Sequence, residues 1–305
     1  MRILVTGADG FIGRYVVQEL EHHGITVSSW NGPSRDGIDL LDKKDVIEKM
    51  NACRPDVILH LAGASSVAQS WKDPATTIAT NVIGSVNLWQ AAMAVPVSRF
   101  VHLSSAEIYS SDLLETQPID ELRPIDPRSP YATSKQTAEL LLTQLARETP
   151  VNLVIVRPFN IVGPGQRAGF VLTDFAHQII RTKLQRLHTL YTGNLDVTRD
   201  FLDVRDAAVA YRLLCTETYE RRLFNLCSGS GHKLMSVLHQ MMGLAQLSDV
   251  EVKRDPLKDR PNDRPMLIGN REAISDAVHW APQIPWEITL RDVLRHEEST
   301  YQVMP

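Results

Sequence analysis

A tyrosine and a lysine stand four residues apart in one short segment of this sequence. Tyr131 and Lys135 lie in the run SPYATSK, where Pro130 and the apolar spacing that follows predict the first turn of a helix. Side chains at this spacing share a helix face, so the ammonium would stand beside the phenol and lower its pKa. A tyrosine tuned in this way can act as a general acid or base near neutral pH.

A serine at the end of a predicted strand adds to this pair. Ser104 and Ser105 close the apolar run that begins at Phe100. Strand ends of a doubly wound parallel sheet face the ligand crevice, and Ser105 could donate to a carbonyl oxygen that gains charge. The three groups together favour reversible carbonyl–alcohol chemistry, in which hydride goes to carbon and a proton goes to oxygen.

A glycine-rich turn, TGADGFIG, follows the first predicted strand and opens a helix. Glycine is needed where the chain turns tightly and where a pyrophosphate approaches backbone N–H groups at a helix N-terminus. The GxxGxxG spacing differs from GxGxxG, and a purely structural turn is the alternative. Its place at the first strand-to-helix junction favours a dinucleotide site. The expected contacts in this turn are Gly7, Gly10, Phe11, Ile12 and Gly13.

The end of the second predicted strand bears on the choice of dinucleotide. An acidic residue there would favour NAD(H), but the strand ends at Asn31 without a carboxylate. Arg35 could receive a 2′-phosphate, although Asp36 weakens that argument. Asp39 and Leu40 could meet the adenine edge. The sequence therefore favours NADP(H), with NAD(H) as the alternative.

The elements that must position these groups alternate in type. Short β-branched runs are separated by helical patterns, which predicts an α/β fold with a doubly wound parallel sheet (Rossmann). The predicted strands are Ile3–Thr6, Thr26–Trp30, Val57–Leu61, Phe100–Ser104, Leu153–Val156 and Leu223–Cys227. After about residue 160 the alternation loosens. We expect residues 1–162, with 200–228 returning, to form the NAD(P)-binding domain, and 163–199 and 229–305 to form a smaller α/β substrate-binding portion.

Composition narrows the class of protein. The 305 residues suffice for one large α/β unit, and a net charge of −4 gives no general attraction to nucleic acid or anionic membrane. Three dispersed cysteines argue against disulfides or a metal site and fit the cytoplasm. No signal peptide or membrane span is expected. His22 and His23 are expected to be solvated, and His60 and His102 to be hydrogen-bonded core residues.

The ordered motifs resemble one family. TGADGFIG, HLAG, SSAEIY, SPYATSK and RPFNIVGPGQ are similar to the motifs of the extended short-chain dehydrogenase/reductases, and the resemblance covers essentially the whole chain. It implies a nicotinamide cofactor, Ser105 and Tyr131 as catalytic residues, Lys135 on the nicotinamide ribose, and a homodimer formed through a four-helix bundle. Further cofactor contacts expected at these motifs are Leu61, Ala62, Gly63, Asn81 and Pro158.

The second half resembles the sugar-nucleotide branch of that family. The resemblance implies that Asn160 contacts the phosphates of a nucleotide sugar and that Arg199 and Arg260 bind its diphosphate. A guanidinium fork suits phosphate oxygens, which explains arginines in an acidic protein, although a surface ion pair is the alternative for each. Phe170 and Val171 fall where the family holds the base.

Three longer runs, RPFNIVGPGQRAGFV, DVTRDFLDVRD and FNLCSG, are similar to GDP-4-keto-6-deoxy-D-mannose reductases. This likeness implies that NAD(P)H reduces the C4 ketone of GDP-4-keto-6-deoxy-D-mannose to give GDP-D-rhamnose. Tyr131 would then protonate the alkoxide and Ser105 would orient the carbonyl. The expected partner is a GDP-sugar substrate.

Glu107 keeps a second enzyme class open. It falls where related 4,6-dehydratases carry a glutamate that helps to eliminate water, whereas a reductase needs no such group. The alternative is therefore a 4,6-dehydratase or epimerase with tightly bound NAD(P). In a reductase, Glu107 would contact a substrate hydroxyl. A non-catalytic dinucleotide sensor is disfavoured by the intact set of Ser105, Tyr131 and Lys135.

Overall fold

A six-stranded parallel sheet forms the centre of the protein. The computed structural model describes residues 1–33, 37–110, 118–259 and 264–303. The sheet has the strand order β2-β1-β3-β4-β5-β9, and every neighbouring pair is parallel. Its strands are β1 (Arg2–Thr6), β2 (Thr26–Trp30), β3 (Val57–His60), β4 (Arg99–Leu103), β5 (Asn152–Pro158) and β9 (Leu223–Leu226). These match the strands predicted from the sequence to within two residues at each end.

Helices cover both faces of this sheet. One buried cluster joins it to α1 (Phe11–His22), α8 (Val204–Thr216) and α10 (Glu272–Val278). A second joins the opposite face to α2 (Lys43–Cys53), α5 (Gly84–Ala92) and α6 (Pro130–Ala146). The predicted doubly wound α/β fold is therefore confirmed.

The strand order reverses at β1, whose neighbours are β2 and β3. Ligands of open α/β sheets bind in the crevice beyond the carboxyl ends of the strands at such a reversal. The glycine turn follows β1 and the loop at Leu61 follows β3, so both predicted cofactor segments border this crevice.

Two further sheets and a group of helices lie in the second half of the described chain. β8 (Thr198–Asp203) pairs with β6 (Asn160–Val162), β10 (Gly231–Lys233) and β12 (Met266–Leu267), while β7 (Thr189–Thr192) pairs with β11 (Glu251–Arg254). A third buried cluster packs α7 (Val171–Gln185), α9 (Leu234–Leu244) and α11 (Trp286–Val303) together. Residues 198–203 thus pair in a smaller sheet, and residues 223–226 in the large one. The division into two functional portions stays a prediction.

Local sequence explains where α6 begins. The Ser129 hydroxyl accepts a hydrogen bond from the Ala132 nitrogen at 3.1 Å, and Pro130 occupies the first turn. Both features favour a helix start. Tyr131 and Lys135 therefore lie in the N-terminal turns of α6, close to the ends of the strands, as the sequence predicts.

The helices before β4 run on through an irregular turn. α3 (Val67–Lys72) is followed by α4 (Pro74–Ile78), which continues through a π-helical turn at Ala79–Ile83 into α5. Wide turns of this kind occur often at functional sites, and this one carries Asn81. Within the described part of the chain, no helix is both long and apolar enough to cross a bilayer.

Candidate active site

The turn after β1 brings the glycine run against the end of β3. Gly7 has a φ of +67°, and a Cβ there would lie 2.8 Å from the Ala62 nitrogen. A Cβ at Gly13 would lie 2.1 Å from the Gly7 carbonyl oxygen, so side chains are excluded at both positions. The first turn of α1 carries no acidic residue, and no side chain caps it. The open amides at this helix end suit a pyrophosphate, which is what the prediction for Gly7, Gly10, Phe11, Ile12 and Gly13 requires.

The end of β2 presents an amide and no carboxylate. Asn31 is partly buried directly after the strand. Asp39 is exposed, and its carboxylate accepts a hydrogen bond within its own turn. Leu40 is buried in the core, where its carbonyl accepts a 2.9 Å hydrogen bond from the Asn87 amide. Arg35, the predicted 2′-phosphate contact, lies outside the described residues.

Asn81 connects the loop after β3 to α6. Its side chain accepts from the Ala64 nitrogen at 2.7 Å and donates to the Ser134 hydroxyl at 2.9 Å. A Cβ at Gly63 would lie 2.8 Å from the Asn81 Oδ1 and 3.4 Å from the Lys135 Nζ. The loop therefore passes close to the catalytic candidates, and its backbone is formed by the predicted cofactor contacts Leu61, Ala62 and Gly63.

The structure brings Ser105 and Tyr131 into contact. The two side chains lie close enough for the Ser105 hydroxyl to affect the pKa of Tyr131, and the two residues are only 5% and 9% exposed. Ser105 also caps a short 3₁₀ turn, accepting from the Glu107 nitrogen at 3.1 Å. Lys135 is 5% exposed, and its Nζ donates to the Leu103 carbonyl at 2.8 Å. A hydroxyl pair and an ammonium thus meet at the carboxyl end of β4.

The pKa of the tyrosine departs from the sequence-based expectation. Burial raises the pKa of Tyr131 to about 12; the Ser105 hydrogen bond lowers it and the Glu107 charge raises it further. The expectation that Lys135 lowers this pKa is wrong for the protein alone, because the ammonium is engaged at Leu103 and burial dominates. Burial also lowers the pKa of Lys135 to about 8. At neutral pH the pair is therefore a protonated phenol and an ammonium.

The predicted substrate residues of the smaller sheet lie together on β6 and β8. The Asn160 amide donates to the Asp200 carbonyl at 2.8 Å. Arg199 is 8% exposed and donates to the carbonyl of Arg264 at 2.7 Å. Arg264 in turn donates to the Glu107 carbonyl at 2.9 Å, so the sheet reaches the turn that carries Ser105.

The remaining predicted contacts are more dispersed. Phe170 precedes the first turn of α7, which begins at Val171, and the Arg167 guanidinium stands 5.8 Å from the Phe170 ring centroid. Pro158 ends β5, opposite Leu226 of β9. Arg260 lies outside the described residues.

Four charged residues near the site were missed from the sequence. The Asp200 carboxylate is fully buried and accepts from the Ser228 nitrogen, the Ser228 hydroxyl, and the Gly229 and Gly269 nitrogens. Glu139 and Arg157 form a buried ion pair behind the catalytic candidates. The four-residue step from Lys135 to Glu139 on α6 was a usable signal for Glu139. Arg264 and Asp200 gave none, because their partners lie far away in sequence.

The histidine predictions hold in part. His22 and His23 are exposed, and His60 is buried between the hydroxyls of Thr6, at 2.7 Å, and Ser85, at 2.8 Å. His102 is also buried, but neither ring nitrogen has a hydrogen-bond partner among the described residues, so the expectation of a bonded core histidine is wrong there. Across the described ranges of the chain, no group of three or more histidine, cysteine, aspartate or glutamate residues could hold a metal ion.

One family model matches most of the chain. It describes the NAD-dependent epimerase/dehydratase family and matches residues 3–227. Among curated relatives, GDP-6-deoxy-D-mannose reductase of Pseudomonas aeruginosa is 34% identical, over 98% of this chain and 97% of that protein. GDP-6-deoxy-D-talose 4-dehydrogenase of Aggregatibacter actinomycetemcomitans is 29% identical, over 88% of each.

Solved structures of proteins with related names are also similar to this chain. The structure of RMD from Pseudomonas aeruginosa, complexed with NADPH, superposes with a TM-score of 0.88 at 34% identity, over 98% of this chain and 99% of that one. UDP-glucose 4-epimerase of Thermotoga maritima, solved with UDP-glucose, has a TM-score of 0.89 at 25% identity, over 99% of this chain and 100% of that one.

Proposed function

Because this chain belongs to the NAD-dependent epimerase/dehydratase family, we propose that it reduces the C4 ketone of GDP-4-keto-6-deoxy-D-mannose to GDP-D-rhamnose. NADPH is the proposed cofactor, in agreement with the ligand of the similar solved structure. The observation that carries the proposal is the adjacent pair of Ser105 and Tyr131, buried beside the crevice that the Gly7 turn and Gly63 border.

The protonation state of the pair suits a reduction. NADPH, when bound, supplies the hydride that goes to C4 of the sugar. The carbonyl oxygen then needs a proton, and Tyr131 carries one at neutral pH because its pKa is about 12. The Ser105 hydroxyl donates to the same oxygen and stabilises the charge that develops there. A phenol with a high pKa is a sufficient acid for an alkoxide, which is the stronger base.

The role proposed for Lys135 is to hold the nicotinamide ribose. Its buried ammonium stands 3.4 Å from the place of a Cβ at Gly63, so it faces the cofactor loop. An ammonium has three donors, and the Leu103 carbonyl uses one of them. The other two are available for ribose hydroxyls.

The rival reaction is an elimination or an epimerisation with recycled cofactor. Glu107 is the residue that favours it, because its charge acts on Tyr131 and a dehydratase needs an additional acid or base. The relatives named 4,6-dehydratases and 4-epimerases are less similar, at 24% to 31% identity over 69% to 94% of the chain, than the reductase at 34% over 98%. We therefore favour a role for Glu107 on a substrate hydroxyl.

Cofactor consumption separates the two reactions. Purified protein is mixed with NADPH and GDP-4-keto-6-deoxy-D-mannose, and absorbance at the nicotinamide band is followed. A reductase consumes NADPH in proportion to substrate and gives GDP-D-rhamnose by NMR, whereas an enzyme that recycles hydride shows no net consumption. Parallel reactions with dTDP- and CDP-4-keto-6-deoxy sugars and with NADH test the base and the cofactor. Reaction of the dTDP-sugar alone would overturn the GDP assignment.

We further propose that the enzyme is a homodimer. Apolar side chains are exposed along α4, the π-helical turn, α5 and α6, a surface formed by Ile78, Ile83, Leu140 and Leu141, which are between 41% and 61% exposed. Two such helical layers, one from each copy, would make a four-helix bundle. A location in the cytoplasm also stays a prediction, supported by the free cysteines Cys53, Cys215 and Cys227.

A further inference from the structure

Arg264 is a buried cation next to the catalytic turn. It lies just before β12 and is 7% exposed. Its guanidinium donates to the Glu107 carbonyl at 2.9 Å and reaches the Ala106 carbonyl at 3.5 Å. Both acceptors belong to the 3₁₀ turn that Ser105 caps. The charge of Arg264 is therefore held against the turn that the Ser105 hydroxyl caps.

Among the described residues, no carboxylate forms a close ion pair with this cation. None of the ion pairs within the described ranges includes Arg264. Burial lowers its pKa; the charges of Glu107 and Asp126 raise it from a distance, while those of Arg199 and Arg128 lower it further. A buried charge is costly unless it is paired, and the cluster of Arg264 with Arg199 increases the cost, whereas Arg128 is paired with Asp126. Such a cluster is stabilised when an anion binds to it.

The unused donors of Arg264 are of the right kind for a phosphate. A guanidinium has five N–H groups in a planar fork, and only two of its nitrogens make hydrogen bonds to the described residues, both to neutral carbonyls. Phosphate oxygens match this fork in two-pronged contacts. The Arg199 guanidinium donates to the Arg264 carbonyl, so the two arginines are direct neighbours.

We propose that Arg264 binds the sugar-linked phosphate of the nucleotide sugar and so sets the distance between the sugar ring and the Ser105–Tyr131 pair. The inference rests on the proposed function, because it assumes a nucleotide diphosphate as the ligand. It assigns the sugar-proximal phosphate to a residue for which the sequence motifs predict no contact.

Binding of nucleotides that differ by one phosphate tests this role. Dissociation constants for GMP and GDP are measured by calorimetry on the wild type, on Arg264→Met and on Arg264→Lys. In the wild type, GDP should bind more tightly than GMP. We expect the ratio of these two affinities to be about 10- to 100-fold smaller in Arg264→Met, because the variant lacks the charged hydrogen bonds to the second phosphate. The lysine variant keeps the charge without the fork and should fall between the two.

Two controls separate binding from folding. Arg181→Met removes an exposed arginine of α7 and should leave both nucleotide affinities unchanged. Binding of NADPH, followed by its fluorescence, should be the same in every variant, because Arg264 acts on the substrate side. If Arg264→Met does not fold, Arg264→Gln keeps a donor for the Glu107 carbonyl without the charge and is measured instead. An unchanged ratio of GMP to GDP affinity in the folded variants would overturn the inference.

The same measurement with UMP and UDP, and with dTMP and dTDP, distinguishes this inference from the proposed function. If another base binds better than guanine, the GDP assignment fails. The role of Arg264 still stands if, for that base, the tighter binding of the diphosphate relative to the monophosphate is lost in Arg264→Met. If no diphosphate binds the wild type more tightly than its monophosphate, the inference is wrong.

Discussion

Glu139 of α6 and Arg157 of β5 form a buried ion pair with two parallel contacts. The Arg157 Nε donates to the Glu139 Oε2 at 3.2 Å, and the second contact joins its terminal nitrogen to Oε1. The same Oε2 accepts from the Ser104 hydroxyl at 2.8 Å, one residue before Ser105. Arg157 also donates to the Tyr109 hydroxyl at 3.0 Å. The pair therefore ties the helix of Tyr131 to the strand end of Ser105.

Breaking this pair from one side should be costly. We expect Glu139→Gln to lower the free energy of unfolding by about 3–5 kcal/mol, because Arg157 is then left charged in the interior. Denaturant unfolding of the wild type, Glu139→Gln, Arg157→Met and the double variant completes a double-mutant cycle. The double variant should lose less than the sum of the single ones. Additive losses would mean that the two side chains do not interact.

Loss of the phenol should remove catalysis and leave cofactor binding intact. Tyr131→Phe deletes the proton donor but keeps the ring, and the residue is only 9% exposed. We expect kcat to fall by about 10²- to 10⁴-fold, the usual contribution of a general acid. NADPH affinity, measured by fluorescence titration, should change little. Ser105→Ala serves as the comparison, and activity near the wild-type level in Tyr131→Phe would contradict the proposed acid.

The pKa of Lys135 predicts how cofactor affinity depends on pH. It is lowered to about 8 by burial, so the side chain loses its proton as the pH rises through 8. The facing histidines His60 and His102 stay neutral in this range, because burial, with the Lys135 charge, holds their pKa values far below it. We expect the Kd of NADPH to rise above pH 8, approaching tenfold per pH unit if only the ammonium binds ribose. Lys135→Met should bind weakly without this dependence, and a flat wild-type profile up to pH 10 would argue against the role.

The pKa of Lys135 also affects the free energy of unfolding, which should increase with pH in the range where NADPH affinity falls. Between pH 8 and the usual lysine pKa near ~10.4, the unfolded chain binds a proton at Lys135 that the folded chain does not. The contribution of this residue to the free energy of unfolding therefore rises with pH in that window. Thermal unfolding of the wild type against Lys135→Met isolates it, since the variant lacks the titrating group.

Local patterns predicted the parts of the site that depend on local structure. The glycine turn and the YxxxK step each lie within one strand-to-helix junction or one helix turn, so their geometry follows from spacing alone. The direction of the Tyr131 pKa shift does not follow from spacing, because it depends on burial and on where the Lys135 Nζ binds. Arg264 was missed for a related reason, since its contact with Glu107 spans 157 residues of chain. Contacts across such separations arise only when the two sheets are packed together.

A charge on the exposed face of α6 should prevent dimerisation without affecting the site. Leu140 is 61% exposed, next to the buried Glu139, so Leu140→Glu points its carboxylate away from the core. If α6 of one copy packs against α6 of another, two such charges face a desolvated interface, and repulsion separates the copies. We expect the wild type to scatter light as a dimer and the variant as a monomer. Leu257→Glu, at a 94% exposed position in the 3₁₀ turn after β11, is the matched control and should stay dimeric. A wild-type monomer at micromolar concentration, or a dimeric Leu140→Glu variant, would place the partner surface elsewhere on the molecule.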